Sequence, residues 1–172
     1  MRSLIPLLVL VVAPTGAAAQ SSPRSLGLEL GLTRDSVAAM GDRAPVALSA
    51  TWWLTGDLDA TARVAWGFAA RTEGRAADGS FEAGLGLRCG LATWSVLRPQ
   101  LLVNAAFVQV ASWAASTPWA NDSGVRLSAG MALEAFLARN LSLSLSAEAS
   151  QLMLFSEGGP GLGLALRIGA YF

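Results

Sequence analysis

Ten ionisable side chains recur at alternate positions in seven of eight alternating segments: the acids Glu29, Asp59, Glu82, Glu134 and Glu148, and the arginines Arg63, Arg88, Arg98, Arg126 and Arg167. Guanidinium forks bind carboxylates in a bidentate manner, so these residues offer paired charges if the fold brings them together away from water. Little other chemistry is available. The chain has no histidine, which removes the Ser-His-Asp arrangement, histidine metal sites and the commonest general base. Cys89 is its one cysteine, so neither a disulfide nor a thiolate metal cluster can form, and it is expected to serve as a small apolar side chain. Gly84-Leu85-Gly86 and Gly161-Leu162-Gly163 lack the full spacing of a phosphate-binding loop. Asn121-Asp122-Ser123 matches a glycosylation sequon, a pattern too short to carry weight. The formal net charge is zero, which gives no basic patch for nucleic acid. No catalytic residue, cofactor or metal is expected.

Charges act together only when the backbone gathers them on one surface. A β-strand does this by sending successive side chains to opposite faces, and a period of two runs through the chain. Leu26, Leu28, Leu30 and Leu32 oppose Gly27, Glu29, Gly31 and Thr33. Later segments repeat the pattern around Leu48, Val64, Leu85, Val103, Leu127, Leu143 and Leu166, the last ending at Phe172. One face of each segment is free of charge, and the ten ionisable residues all lie on the other.

The first residues read as a cleavable signal peptide, residues 1–19, with Arg2, an apolar run from Leu4 to Val12, and Ala17-Ala18-Ala19 as the cleavage site. Residues 20–172 then form one domain. Hydrophobic residues make up 53% of the chain and the mean hydropathy is +0.47, yet no apolar window reaches the roughly 18 to 20 residues of a spanning helix. A closed β-barrel resolves the conflict, because within hydrocarbon every backbone N–H and C=O must be bonded internally and a sheet can have no free edge. A charge on a lipid-facing barrel position costs about 2–4 kcal/mol at the bilayer midplane, which accounts for the clean apolar face. The sequence therefore predicts an all-β fold, a closed eight-stranded antiparallel up-and-down transmembrane barrel.

The links should alternate in length if both termini are periplasmic. Asp35 to Arg43, Arg71 to Ser80, Ala111 to Ser123 and Leu154 to Pro160 read as longer, and Thr55-Gly56-Asp57, Ala92 to Val96 and Ala138-Arg139-Asn140 as short. Aromatic girdles are expected at the two membrane interfaces, with Trp52, Trp53, Trp94, Phe136, Tyr171 and Phe172 on one side and Trp66, Phe68, Phe81, Trp113 and Trp119 on the other. In the fifth segment Leu102 breaks the polarity and the phase slips near Val108, which predicts a bulge or an early strand end.

These features resemble the eight-stranded outer-membrane barrels, the group containing the OmpA transmembrane domain and OmpX. The signal peptide, the eight alternating segments and the terminal series Leu164, Leu166, Ile168, Ala170, Phe172 carry the resemblance. It implies a location in the bacterial outer membrane, surrounding lipid as a partner, and insertion by the barrel assembly machinery, which would read Tyr171 and Phe172. Barrel-fold lipid A deacylases and phospholipases depend on a histidine, so the resemblance does not extend to them.

The lumen of eight strands is only wide enough for side chains. The charges are therefore expected to plug it as a network of Glu29, Arg63, Arg88, Glu134, Glu148 and Arg167, with Glu29 and Arg167 paired directly. The function expected is non-enzymatic, structural or surface-interacting, in a monomeric envelope protein. A narrow channel for ions or small solutes is the alternative, since ionisable residues in membranes often line pathways. A second alternative is a periplasmic, lipocalin-like carrier with the leucine faces turned inward around a ligand.

Overall fold

The computed structural model describes residues 24–37, 40–69, 79–91, 96–111 and 122–172; the predicted signal segment and Trp94, Trp113 and Trp119 lie outside them. Eight strands follow one another, β1 (Ser25–Asp35), β2 (Asp42–Thr55), β3 (Leu58–Ala69), β4 (Gly79–Gly90), β5 (Leu97–Ala111), β6 (Asp122–Ala138), β7 (Leu141–Leu154) and β8 (Gly158–Tyr171). Leucine, alanine and glycine are not strong strand formers. What selects strands here is alternation, which fits a pleated surface with one polar and one apolar side. Each strand pairs antiparallel with the next, and β8 pairs with β1 from Ser25↔Tyr171 to Asp35↔Gly161, so the sheet is a closed barrel.

The leucines face outward. Leu32, Leu85 and Leu162 are each about two-thirds exposed on the barrel wall, whereas Glu29, Asp59, Arg98, Glu134 and Arg167 are buried inside. This orientation corrects the carrier alternative, which needs the leucine faces around a central ligand. Trp66 and Phe81 meet edge to face on adjacent strands at 5.9 Å, and with the exposed Phe68 they form part of one aromatic girdle.

Three expectations change. The ladder of β5 passes through Val108 without interruption, with Glu82↔Val108 on one side and Val108↔Gly124 on the other. Val108 and Val110 keep their inward phase and are buried; the lumen, not the register, changes character there. The register shifts fall instead beside the short turns, between Trp53 and Thr55 and between Phe136 and Ala138.

Link parity is also looser than predicted. Links 36–41, 70–78 and 112–121 are long and 56–57 and 139–140 short, but 91–96 equals 36–41 and the last link shrinks to 155–157. Gly158 to Pro160 extend β8 by pairing with Met153 to Gln151. Gly41 and Gly56 take positive φ values of 54° and 51° in the first two links, a conformation that favours glycine. Trp53 stands exposed at the near rim, where β1 begins and β8 ends, and donates its indole N–H to the Gly56 carbonyl at 3.0 Å.

Finally, Tyr171 turns into the lumen and does not join the lipid-facing girdle, while Phe172 is 83% exposed. The strand period decides this. Tyr171 shares parity with Arg167 and Gly169, and Phe172 with Ile168 and Ala170.

Candidate functional site

The inward charges form three groups along the barrel. At the near end, Glu134 has no exposed surface. Its carboxylate accepts hydrogen bonds from Gln100 Nε2 at 2.9 Å, Ser142 Oγ at 2.7 Å and Tyr171 Oη at 2.7 Å. Arg167 Nη1 lies 3.7 Å from the same carboxylate. At the near rim, Asp59 sits between Arg24 at 3.3 Å and Arg98 at 3.6 Å.

At mid-height, Arg63 Nε donates to Glu29 Oε2 at 2.8 Å, Arg88 Nη2 approaches Glu29 Oε1 at 3.6 Å, and Arg63 Nη1 is 3.8 Å from Glu82. Glu148 is held by neutral donors, Asn104 Nδ2 at 3.0 Å and Ser128 Oγ at 2.7 Å. Towards the far end, Arg126 grips Asp35 with both terminal nitrogens at 2.8 and 3.0 Å, and also donates to Glu82 at 3.2 Å and Ser150 at 3.1 Å.

No family model and no curated protein matches the chain. Its structure is similar to that of Neisserial surface protein A, at a TM-score of 0.68 and 11% identity, covering 86% of this chain and 95% of that one. It is also similar to the N-terminal β-barrel domain of Pseudomonas aeruginosa OprF, at 0.56 and 14%, covering 86% and 98%. A third likeness is to the attachment invasion locus protein Ail of Yersinia pestis, in complex with the heparin analogue sucrose octasulfate, at 0.53 and 14%, covering 86% and 94%. The fold is that of the small outer-membrane β-barrels.

In this outer-membrane barrel fold the six predicted lumen residues all point inward and each finds a polar partner, but the pairing differs from expectation. Glu29 and Arg167 are opposite one another in the β1–β8 ladder. Their side chains turn apart, Glu29 to Arg63 and Arg88, and Arg167 to Glu134, Ser25 and Ser49. A shared register position fixes where two side chains start. Length and available space decide where they end.

Sequence reasoning missed Asp35, Arg24, Gln100 and Tyr171 as members of the network. Asp35 was legible: it continues the inward series Glu29, Gly31, Thr33 by one more period, although it falls where the first link was expected to begin. Gln100 lies on the inward face and carries no charge, so a search for ion pairs passes over it. Missed as well was an apolar cluster at the far end, where Val37, Met40, Val108, Val110, Leu152 and Leu154 are buried together inside the barrel. Arg43 donates to the Met40 carbonyl at 2.8 Å and tacks the first link onto this cluster.

Between the apolar cluster and the Glu134 group lies a cavity of about 70 Å³, bordered by Arg63, Glu82, Arg126 and Glu148 and by the side-chain-free surfaces of Gly31 and Gly163. Among its lining, Arg63, Glu82, Arg126 and Glu148 are polar partners of the kind an internal water needs. Among the described residues no group of potential ligands could hold a metal ion.

Proposed function

We propose that this protein is a non-enzymatic integral protein of the bacterial outer membrane, a monomeric barrel whose lumen is plugged, with a structural or surface-interaction role in the envelope. Residues 1–19 act as its cleaved signal peptide, and the near rim, where β1 begins and β8 ends, faces the periplasm. Lipid contacts the leucine wall. During insertion the assembly machinery meets Phe172, the more exposed of the two terminal aromatics.

The observation that carries this reading is the pairing of the lumen charges below an apolar closure. Glu29, Arg63, Arg88, Glu134, Glu148 and Arg167 each have a polar partner inside the barrel. The far mouth is filled by valine, leucine and methionine side chains. An ion crossing this lumen would have to displace buried pairs, each of which costs about 3–5 kcal/mol to break by removing one partner, and would then cross an apolar constriction that dewets.

Planar-bilayer recording tests the plug. Purified barrel should insert without steady unit steps above baseline. Reproducible single-channel steps would overturn the plug and favour the narrow channel.

A further inference from the structure

Arg167 crosses the seam where the last strand meets the first at the near end, as Arg126 of β6 reaches Asp35 of β1 towards the far end. From β8 its Nη2 donates to Ser25 Oγ on β1 at 3.0 Å, and its Nε donates to Ser49 Oγ on β2 at 3.1 Å. These partners are 142 and 118 residues away in the chain.

The backbone leaves room for this crossing. Gly27 on β1 and Gly169 on β8 are directly opposite in the seam ladder. A Cβ on Gly27 would fall on the Arg167 guanidinium, and one on Gly169 would come within 2.8 Å of Nη1. The two glycines form a slot, and the guanidinium lies in it.

The other end of the arginine is anchored differently. Glu134, 3.7 Å from Nη1, is fixed by Gln100 on β5, Ser142 on β7 and Tyr171 on β8. These partners are 34, 8 and 37 residues from Glu134, all within the run β5–β8. The anchor can therefore form before the barrel closes, whereas the Ser25 and Ser49 bonds need the first two strands in place. Closing so long a loop carries an entropy cost before any contact across it is gained.

We propose that Arg167 is a seam strap: the Glu134 cluster of the C-terminal half presents it, and it captures Ser25 and Ser49 once β1 has met β8, locking the closed barrel. Interactions made after the transition state slow unfolding and leave folding almost untouched. The strap concerns closure and is independent of whether the lumen conducts.

The test uses the mature chain in detergent micelles, with folded and unfolded forms resolved by their different gel migration before heating. For Arg167→Gln and Gly27→Ala the unfolding rate should rise about tenfold or more while the folding rate stays within about threefold of the parent. Arg167→Lys, a point charge without the fork, should fall between them and the parent, and it supplies the rates if Arg167→Gln does not refold.

A covalent seam provides the second arm. Leu28→Cys with Ile168→Cys, opposed across the seam, is combined with Cys89→Ser and oxidised after folding. With the seam bridged, Arg167→Gln should unfold at close to the rate of the bridged parent. A folding rate that falls in step with stability, or an equal acceleration of unfolding with the seam bridged, would overturn the strap.

Discussion

Glu134 shows how a single side chain can organise a lumen. A carboxylate with no exposed surface has lost its hydration, and three hydrogen-bond donors and a guanidinium replace it. Glu134→Leu would leave those donors without an acceptor and Arg167 without its counter-charge, and stability should fall by about 3–5 kcal/mol. Glu134→Gln keeps one acceptor and should lose less. Urea midpoints for the heat-shifted band separate the two, and equal losses would assign the effect to packing. Glu148 makes the contrast: its donors are Asn104 and Ser128, both neutral, so Glu148→Gln should change stability by only about 1 kcal/mol. The sequence showed these residues sharing a face because charge and alternation coincide. It did not show which acid meets which arginine, because side chains of this length reach partners on non-adjacent strands, as Arg126 on β6 does in gripping Asp35 on β1.

At the scale of the strand, the period of two located all eight elements, and it misled only where the lumen stops being polar. Val108 and Val110 lie in phase with Gln100, Asn104 and Ala106, yet their polarity suggested a slip. The error follows from assuming one chemistry for the whole inner face. Glycine placement is a finer constraint that alternation does not reveal. A Cβ on Gly84 would come within 2.7 Å of the Ala106 Cβ, whereas one on Gly163 would come no nearer than 3.4 Å to any atom, Thr33 Cγ2, an ordinary contact. Gly84→Ala should therefore cost about 1–3 kcal/mol through overpacking, and Gly163→Ala should be tolerated. The same urea titration reads both, and reversed outcomes would mean the β4–β5 spacing is wrong.

For the whole molecule, composition and topology belong together. A chain that is 53% hydrophobic places its leucines outside and its charges inside, and a closed sheet leaves no unpaired backbone edge. Closure through β1 and β8 was legible in the sequence, whereas alternation alone left the inward-leucine carrier open and the exposed wall decided it. The apolar far seal did not, since it joins a link residue pair, Val37 and Met40, to the ends of strands distant in sequence. The central claim is the orientation of the wall, and a nitroxide scan along residues 125–133 of β6 in lipid vesicles tests it directly. Collision with oxygen should peak at Val125, Leu127, Ala129, Met131 and Leu133 and fall at every residue between them. A scan with no two-residue period, or with its maxima at Arg126, Ser128, Gly130 and Ala132, would contradict the account.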